Sequence, residues 1–223
     1  MARLATLSPR LGTLDTRTAR PAPPQDLLDT LNDEFRPEPE LQAWARDSFI
    51  DPFGPLTNPE HEHLIGAEIG YLWTNVANSK AGRKILGTAE LGQPQGAMGK
   101  WPRARAVMQI EDWFGGLPDF IITIDAHHAA ETDDASFCAL IEHELCHCGQ
   151  EHDADGVPKF TRAGTPKYAM RGHDVEEFVS VVRRYGIAAT GVEEMVRAAN
   201  KGPEIAAASV AHVCGTCLMR RAA

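Results

Sequence analysis

The chain is expected to fold as an α+β domain, with a small mixed or antiparallel sheet packed on helices. Three observations point there. Short strand-like segments cluster between residues 84 and 125, helix-period segments dominate after residue 132, and Gly- and Pro-rich loops separate them. At 223 residues the chain can hold one compact domain and a tail.

Residues 1–36 read as a disordered, basic, Pro-rich arm. Arg3, Arg10, Arg17 and Arg20 stand there against Asp15 alone in the first twenty residues, and Pro21-Ala22-Pro23-Pro24 comes next. The organised domain is expected over residues 37–200. It opens with a helix over residues 40–46. Asn58-Pro59 then supplies a cap and a first-turn proline, and the helix it starts carries Leu64, Ile65, Ile69, Leu72 and Trp73 on one face. Strands are expected over residues 84–91, 107–110 and 119–125. The last is the clearest, being rich in isoleucine and bounded by Pro118 and a His127-His128 turn. A helix capped near Thr132, Asp133 and Asp134 succeeds it. After Gly149 comes a polar, glycine-punctuated stretch with room for a small hairpin. A second amphipathic helix then places Val175, Phe178, Val179 and Val182 on one face and stops at Gly186. Short helices are expected over residues 191–200 and 203–211, the latter in a C-terminal tail (201–223) that ends in Cys214-Gly215-Thr216-Cys217.

The segment His143-Glu144-Leu145-Cys146-His147 lies in the helix capped near Asp133. Residues four apart share a helix face, so His143 and His147 aim two imidazoles at one locus. Glu144 stands beside them as a candidate general base, an arrangement suited to Zn²⁺. The competing reading is a surface helix with two unrelated histidines. A catalytic zinc needs a third protein ligand. His152, His173, Asp174, Glu176, Glu177 and His212 are the downstream candidates. The group around His173 is favoured because it opens a helix whose apolar face must dock on the core. His61-Glu62-His63 is read as exposed polar residues, since a helix splays residues two apart by about 200°. Cys214 and Cys217 make only half of a structural zinc site. Tyr168, Arg171 and Tyr185 are open candidates for stabilising an oxyanion.

Composition narrows the classes. A formal charge of −9 argues against a surface built to grip nucleic acid, although the basic arm could touch phosphates. No apolar run approaches the roughly eighteen residues of a membrane span, so no membrane partner is expected. Five cysteines, an odd number without a framework spacing, fit a reducing cytoplasm better than secretion.

The two motif segments resemble a known group. His143-Glu144-Leu145-Cys146-His147, together with Gly172-His173 and Glu177-Phe178 downstream, is similar to the SprT-like and related minigluzincin metallopeptidases. The phage metallopeptidase family is closer still. It is similar in Asp119-Phe120-Ile121-Ile122, in residues 139–147, in Asp155-Gly156 with Pro158-Lys159, and in residues 173–178 ending at Arg184-Tyr185-Gly186. The likeness spans about residues 60–186. It implies a zincin-like fold, a zinc metalloendopeptidase acting on protein or peptide, His143, His147 and His173 as ligands, and Glu144 as base, with Glu177 the alternative third ligand. In that arrangement the strand over residues 119–125 runs along the substrate cleft. A phage-encoded protein of this kind would work in the host cytoplasm. Two other functions stay open: a non-catalytic zinc-stabilised binding module, and a DNA-associated protease acting on protein–DNA crosslinks.

Overall fold

The computed structural model describes residues 19–80, 82–175, 178–187 and 192–205. Helix α1 (Gln25–Asp29) and strand β1 (Phe35–Pro37) come first, which corrects the expected disorder of residues 1–36 from residue 19 onward. Leu27 is fully buried. Arg20, expected in a solvated arm, donates to Asp134 Oδ1 at 2.6 Å and to the carbonyls of Ala129 and Thr132, and its guanidinium lies over the Phe137 ring. A few anchors on a polar, Pro-rich stretch hold it down without leaving a periodic pattern.

Helix α2 (Pro39–Ala45) matches its expectation, with Pro39 in the first turn and the Glu38 carboxylate accepting from the Glu40 amide. Asn58 also caps as expected, accepting from the Glu60 amide at 3.0 Å. It opens only a short 3-10 helix (Pro59–Leu64), and the chain then enters strand β2 (Ile69–Thr74), so the long helix expected through Ile69, Leu72 and Trp73 is corrected. All six residues of β2 are buried. A strand covered on both faces is a continuous apolar run, and a helical period fits such a run equally well.

Strands β3 (Asn78–Lys80) and β4 (Arg83–Ile85) form a hairpin, and β5 (Gly87–Leu91) comes next. Helix α3 (Lys100–Phe114) replaces the strand expected over residues 107–110. It ends at Gly115, whose φ of 74° is the left-handed cap that glycine adopts without strain. Strand β6 (Phe120–Asp125) agrees with the sequence, but helix α4 (Ala126–Glu131) stands in place of the His127-His128 turn, capped by Asp125. Helix α5 (Asp134–His147) is capped by Asp133, which accepts from the Ser136 amide at 2.9 Å. Strands β7 (Cys148–Gln150) and β8 (Tyr168–Met170) pair antiparallel as the expected small hairpin. Helices α6 (Val179–Tyr185) and α7 (Glu193–Lys201) complete the described elements. Most of the helix expected over residues 203–211 lies outside the described residues, as do Cys214 and Cys217.

The main sheet has the order β1-β2-β6-β5, with β2 and β6 parallel and the outer pairs antiparallel. Register stacks Ile69, Phe120 and Leu91 in one row, Tyr71, Ile122 and Ala89 in the next, and Trp73, Ile124 and Gly87 in the third. These rows meet the buried stripe of α5, Phe137, Leu140, Ile141 and Leu145, in one core with Leu41 of α2. On the opposite face the Phe114 ring closes over Gly70, where a Cβ would come within 2.6 Å of it. The layout is mixed α+β. The strand over residues 119–125 was expected to border a cleft, yet β6 lies between β2 and β5, and β5 is the edge strand on that side. Among the described residues no helix is long and apolar enough to cross a membrane.

Candidate metal centre

The apolar period of α5 fixes which side chains leave the core. His143 lies half-buried beside the buried stripe of this helix and His147 is buried at its end, with their Nε2 atoms 3.3 Å apart. His147 Nδ1 lies 2.8 Å from the Arg171 carbonyl. A carbonyl only accepts, so Nδ1 carries the proton and the Nε2 lone pair faces the other imidazoles. The Arg171 amide donates in return to the His147 carbonyl at 2.9 Å, tying the end of α5 to the segment after β8.

That segment delivers His173, whose Nε2 sits 3.4 Å from His143 Nε2. All three imidazoles offer a nitrogen within 4.8 Å of the others. Zn–N bonds of about 2.0–2.1 Å in a tetrahedron separate ligand nitrogens by roughly 3.3 Å, so the two shortest spacings fit that ion. His147 is buried, His143 half-buried and His173 exposed, which leaves one side of the cluster open to solvent. The surrounding cavity, of about 370 Å³, includes Glu60, Cys146, Val175 and Met195.

His173 reaches the cluster by a route other than the expected one. It was expected at the start of a helix docked on the core, but α6 begins only at Val179 and none of its residues is buried. His173 is held instead by its neighbours: the Arg171 guanidinium donates to Asp174 at 2.7 Å and to Glu60 at 3.2 Å. Glu176 and Glu177, the latter the alternative third ligand, lie outside the described residues. His152 is exposed, with Nδ1 donating to the Gln150 carbonyl, and it is not among the clustered imidazoles. His212 is outside the described residues.

Glu144 is fully buried, one residue on from His143 and within the apolar stripe of α5. Space for its carboxylate comes from Gly87 at the start of the edge strand: a Cβ there would lie 2.9 Å from Glu144 Oε1 and from Leu140 Cδ1. Gly87→Ala should therefore displace the carboxylate while the imidazoles keep their places.

His61 is the clearest correction among the polar residues. It was expected on the surface but is 1 % exposed, and burial lowers its pKa to about 4. The ring is neutral at pH 7, so its 3.8 Å approach to Glu142 is no ion pair. Glu142 accepts instead from Asn58 Nδ2 at 2.7 Å, and His63 Nε2 donates to the Cys148 carbonyl at 2.7 Å. A folded pKa below the usual 6.5 means that the unfolded chain protonates first. The contribution of His61 is thus complete above about pH 6.5 and is lost as pH falls toward 4, by roughly 3 kcal/mol in all. Urea midpoints should drop less between pH 7 and about 4.5 in His61→Phe than in the parent; parallel curves would contradict the buried-neutral state.

Cys148 is buried. Cys146 is half-buried beside the imidazoles, and burial pushes its thiol up to about 11. Of the oxyanion candidates, Tyr185 is 65 % exposed and the Tyr168 hydroxyl donates to the His63 carbonyl at 3.5 Å, whereas Arg171 lines the cavity. The sequence did not mark Gly87 or the carbonyl of Arg171. A glycine at the start of a strand, and a backbone atom, carry no chemical signature in one dimension.

The family described as putative phage metallopeptidase matches residues 42–200, most of the chain. No curated protein and no solved structure matches it.

Proposed function

The chain belongs to the putative phage metallopeptidase family, and we propose that it is a zinc-dependent endopeptidase of the HExxH type with a zincin-like fold. The observation that carries this reading is the convergence of His143, His147 and His173 on one point beside a buried carboxylate. In this reading the three imidazoles hold the ion and Glu144 is the general base. When bound, zinc supplies Lewis acidity, polarising a carbonyl and lowering the pKa of a water from 15.7 toward about 7.

The chain's own groups supply the rest. The Arg171 carbonyl keeps His147 in the tautomer whose Nε2 can ligate, and orients its ring. Glu144 takes the proton from the attacking water as the new C–O bond forms. It then passes that proton to the amine nitrogen as the peptide C–N bond breaks. Gly87 lets the base sit against the edge strand β5, along which an extended substrate backbone can add as a further strand. The substrate is a protein or peptide. The three described cysteines are free thiols, which suits work in a reducing cytoplasm.

The test is metal removal. Stripping with a chelator should abolish degradation of an unfolded protein such as casein, and one equivalent of zinc per chain should restore it. Degradation that survives complete stripping would sink the proposal.

A further inference from the structure

Residues 151–167 build an exposed three-pass meander beside the metal pocket. The Glu151 amide donates to the Lys167 carbonyl at 2.7 Å, that of Lys159 to Glu151 at 2.8 Å, and that of Lys167 to Lys159 at 2.9 Å. Asp153 Oδ1 closes the first turn by accepting from the Val157 amide, and Thr161 and Thr165 close the second. Lys159 and Lys167 both pair with the Glu151 carboxylate. The arm is cross-braced, yet it holds Phe160 58 % exposed.

Phe160, with Pro158 and Pro166, lines a cavity of about 860 Å³ whose other lining residues include Pro59, His63 and Met170. This cavity and the metal pocket share Glu60 and Arg171, which are ion-paired at 3.2 Å. The two spaces are therefore neighbouring compartments divided by one pair of exposed side chains. Its volume lies in the upper part of the usual range for ligand sites, about 300–1,000 Å³.

We propose that this cavity is the substrate groove on one side of the scissile bond, that it takes an apolar stretch of the polypeptide, and that Phe160 determines specificity there. The inference rests on the peptidase reading above. Its chemistry comes from the walls: three prolines, Phe160 and Met170 give area without charge, the Glu60–Arg171 pair at the partition satisfies its own charges, and Glu62 adds an exposed carboxylate. A strongly acidic segment would lose solvation there and meet the Glu62 carboxylate, whereas an apolar one gains contact with the prolines, Phe160 and Met170.

The experiment maps cut sites by mass spectrometry on a random peptide mixture, using zinc-loaded parent, Phe160→Asp and Phe160→Ser. In the parent, apolar residues should be enriched on one side of the cut. Both variants should lose that enrichment on that side alone, and kcat/KM for an apolar peptide should fall about tenfold or more in Phe160→Asp. Zinc content and melting temperature should be unchanged, because the residue is mostly exposed. Identical cut profiles in all three proteins would overturn the groove while leaving the peptidase reading intact. An absence of cuts by the zinc-loaded parent would overturn both.

Discussion

Glu144→Gln is expected to keep one zinc per chain and to lose about 10²–10⁴-fold in peptide hydrolysis, the usual contribution of a positioned general base. The substitution is nearly isosteric, so the amide still fits the space that Gly87 leaves against β5. Burial makes the result informative. Glu144 is fully buried, and replacing a buried carboxylate by an amide does not raise the desolvation cost, so folding should survive. In the proposed mechanism an amide cannot take up the proton that the attacking water loses. Zinc content by mass spectrometry, with turnover of a quenched peptide in parallel, separates the two effects. Hydrolysis at the parental rate would remove Glu144 from the mechanism. A parent that binds zinc but cleaves nothing would instead describe a zinc-stabilised binding module.

The chemistry of this site was more legible in the sequence than its scaffold. His143 and His147 are spaced by the helix itself, so a single element carried their geometry in the text. Strand β6 and the Asp133 cap were legible for the same reason: each is a local pattern. Strand β2 misled because an apolar run buried on both faces has no period of its own. Residues 107–110 misled in the opposite direction. Their short apolar run belongs to α3, a helix none of whose residues is fully buried, so its stripe is weak. His61 could not be placed because its burial comes from packing between the short helix at Pro59–Leu64 and α5, a long-range fact. Glu144 had a signal that could have been used. It continues the stripe of Phe137, Leu140 and Ile141, so the helix period already assigned it to the buried face.

His143→Ala should empty the proposed metal site, and among the ligand variants it should do so most cleanly. Its Nε2 is the common neighbour, 3.3 Å from that of His147 and 3.4 Å from that of His173. Removing it leaves two imidazoles with no shared third partner. His147→Ala is a poorer test, because His147 is buried and also bonds Arg171, so metal loss and unfolding would be confounded. His173 is exposed, and His173→Ala should lose the metal without disturbing the core. Glu177→Ala is the control that decides the third ligand: it should bind zinc like the parent. Two readings of each protein suffice, zinc per chain after dialysis and the melting temperature with added zinc. An ion bound only by the folded state stabilises it by about 4 kcal/mol at a thousandfold excess over Kd. The parent and Glu177→Ala should therefore melt several degrees higher with zinc, while His143→Ala and His173→Ala should not respond. If Glu177→Ala lost the response and His173→Ala kept it, the carboxylate would be the third ligand and the imidazole at 173 a neighbour of the site.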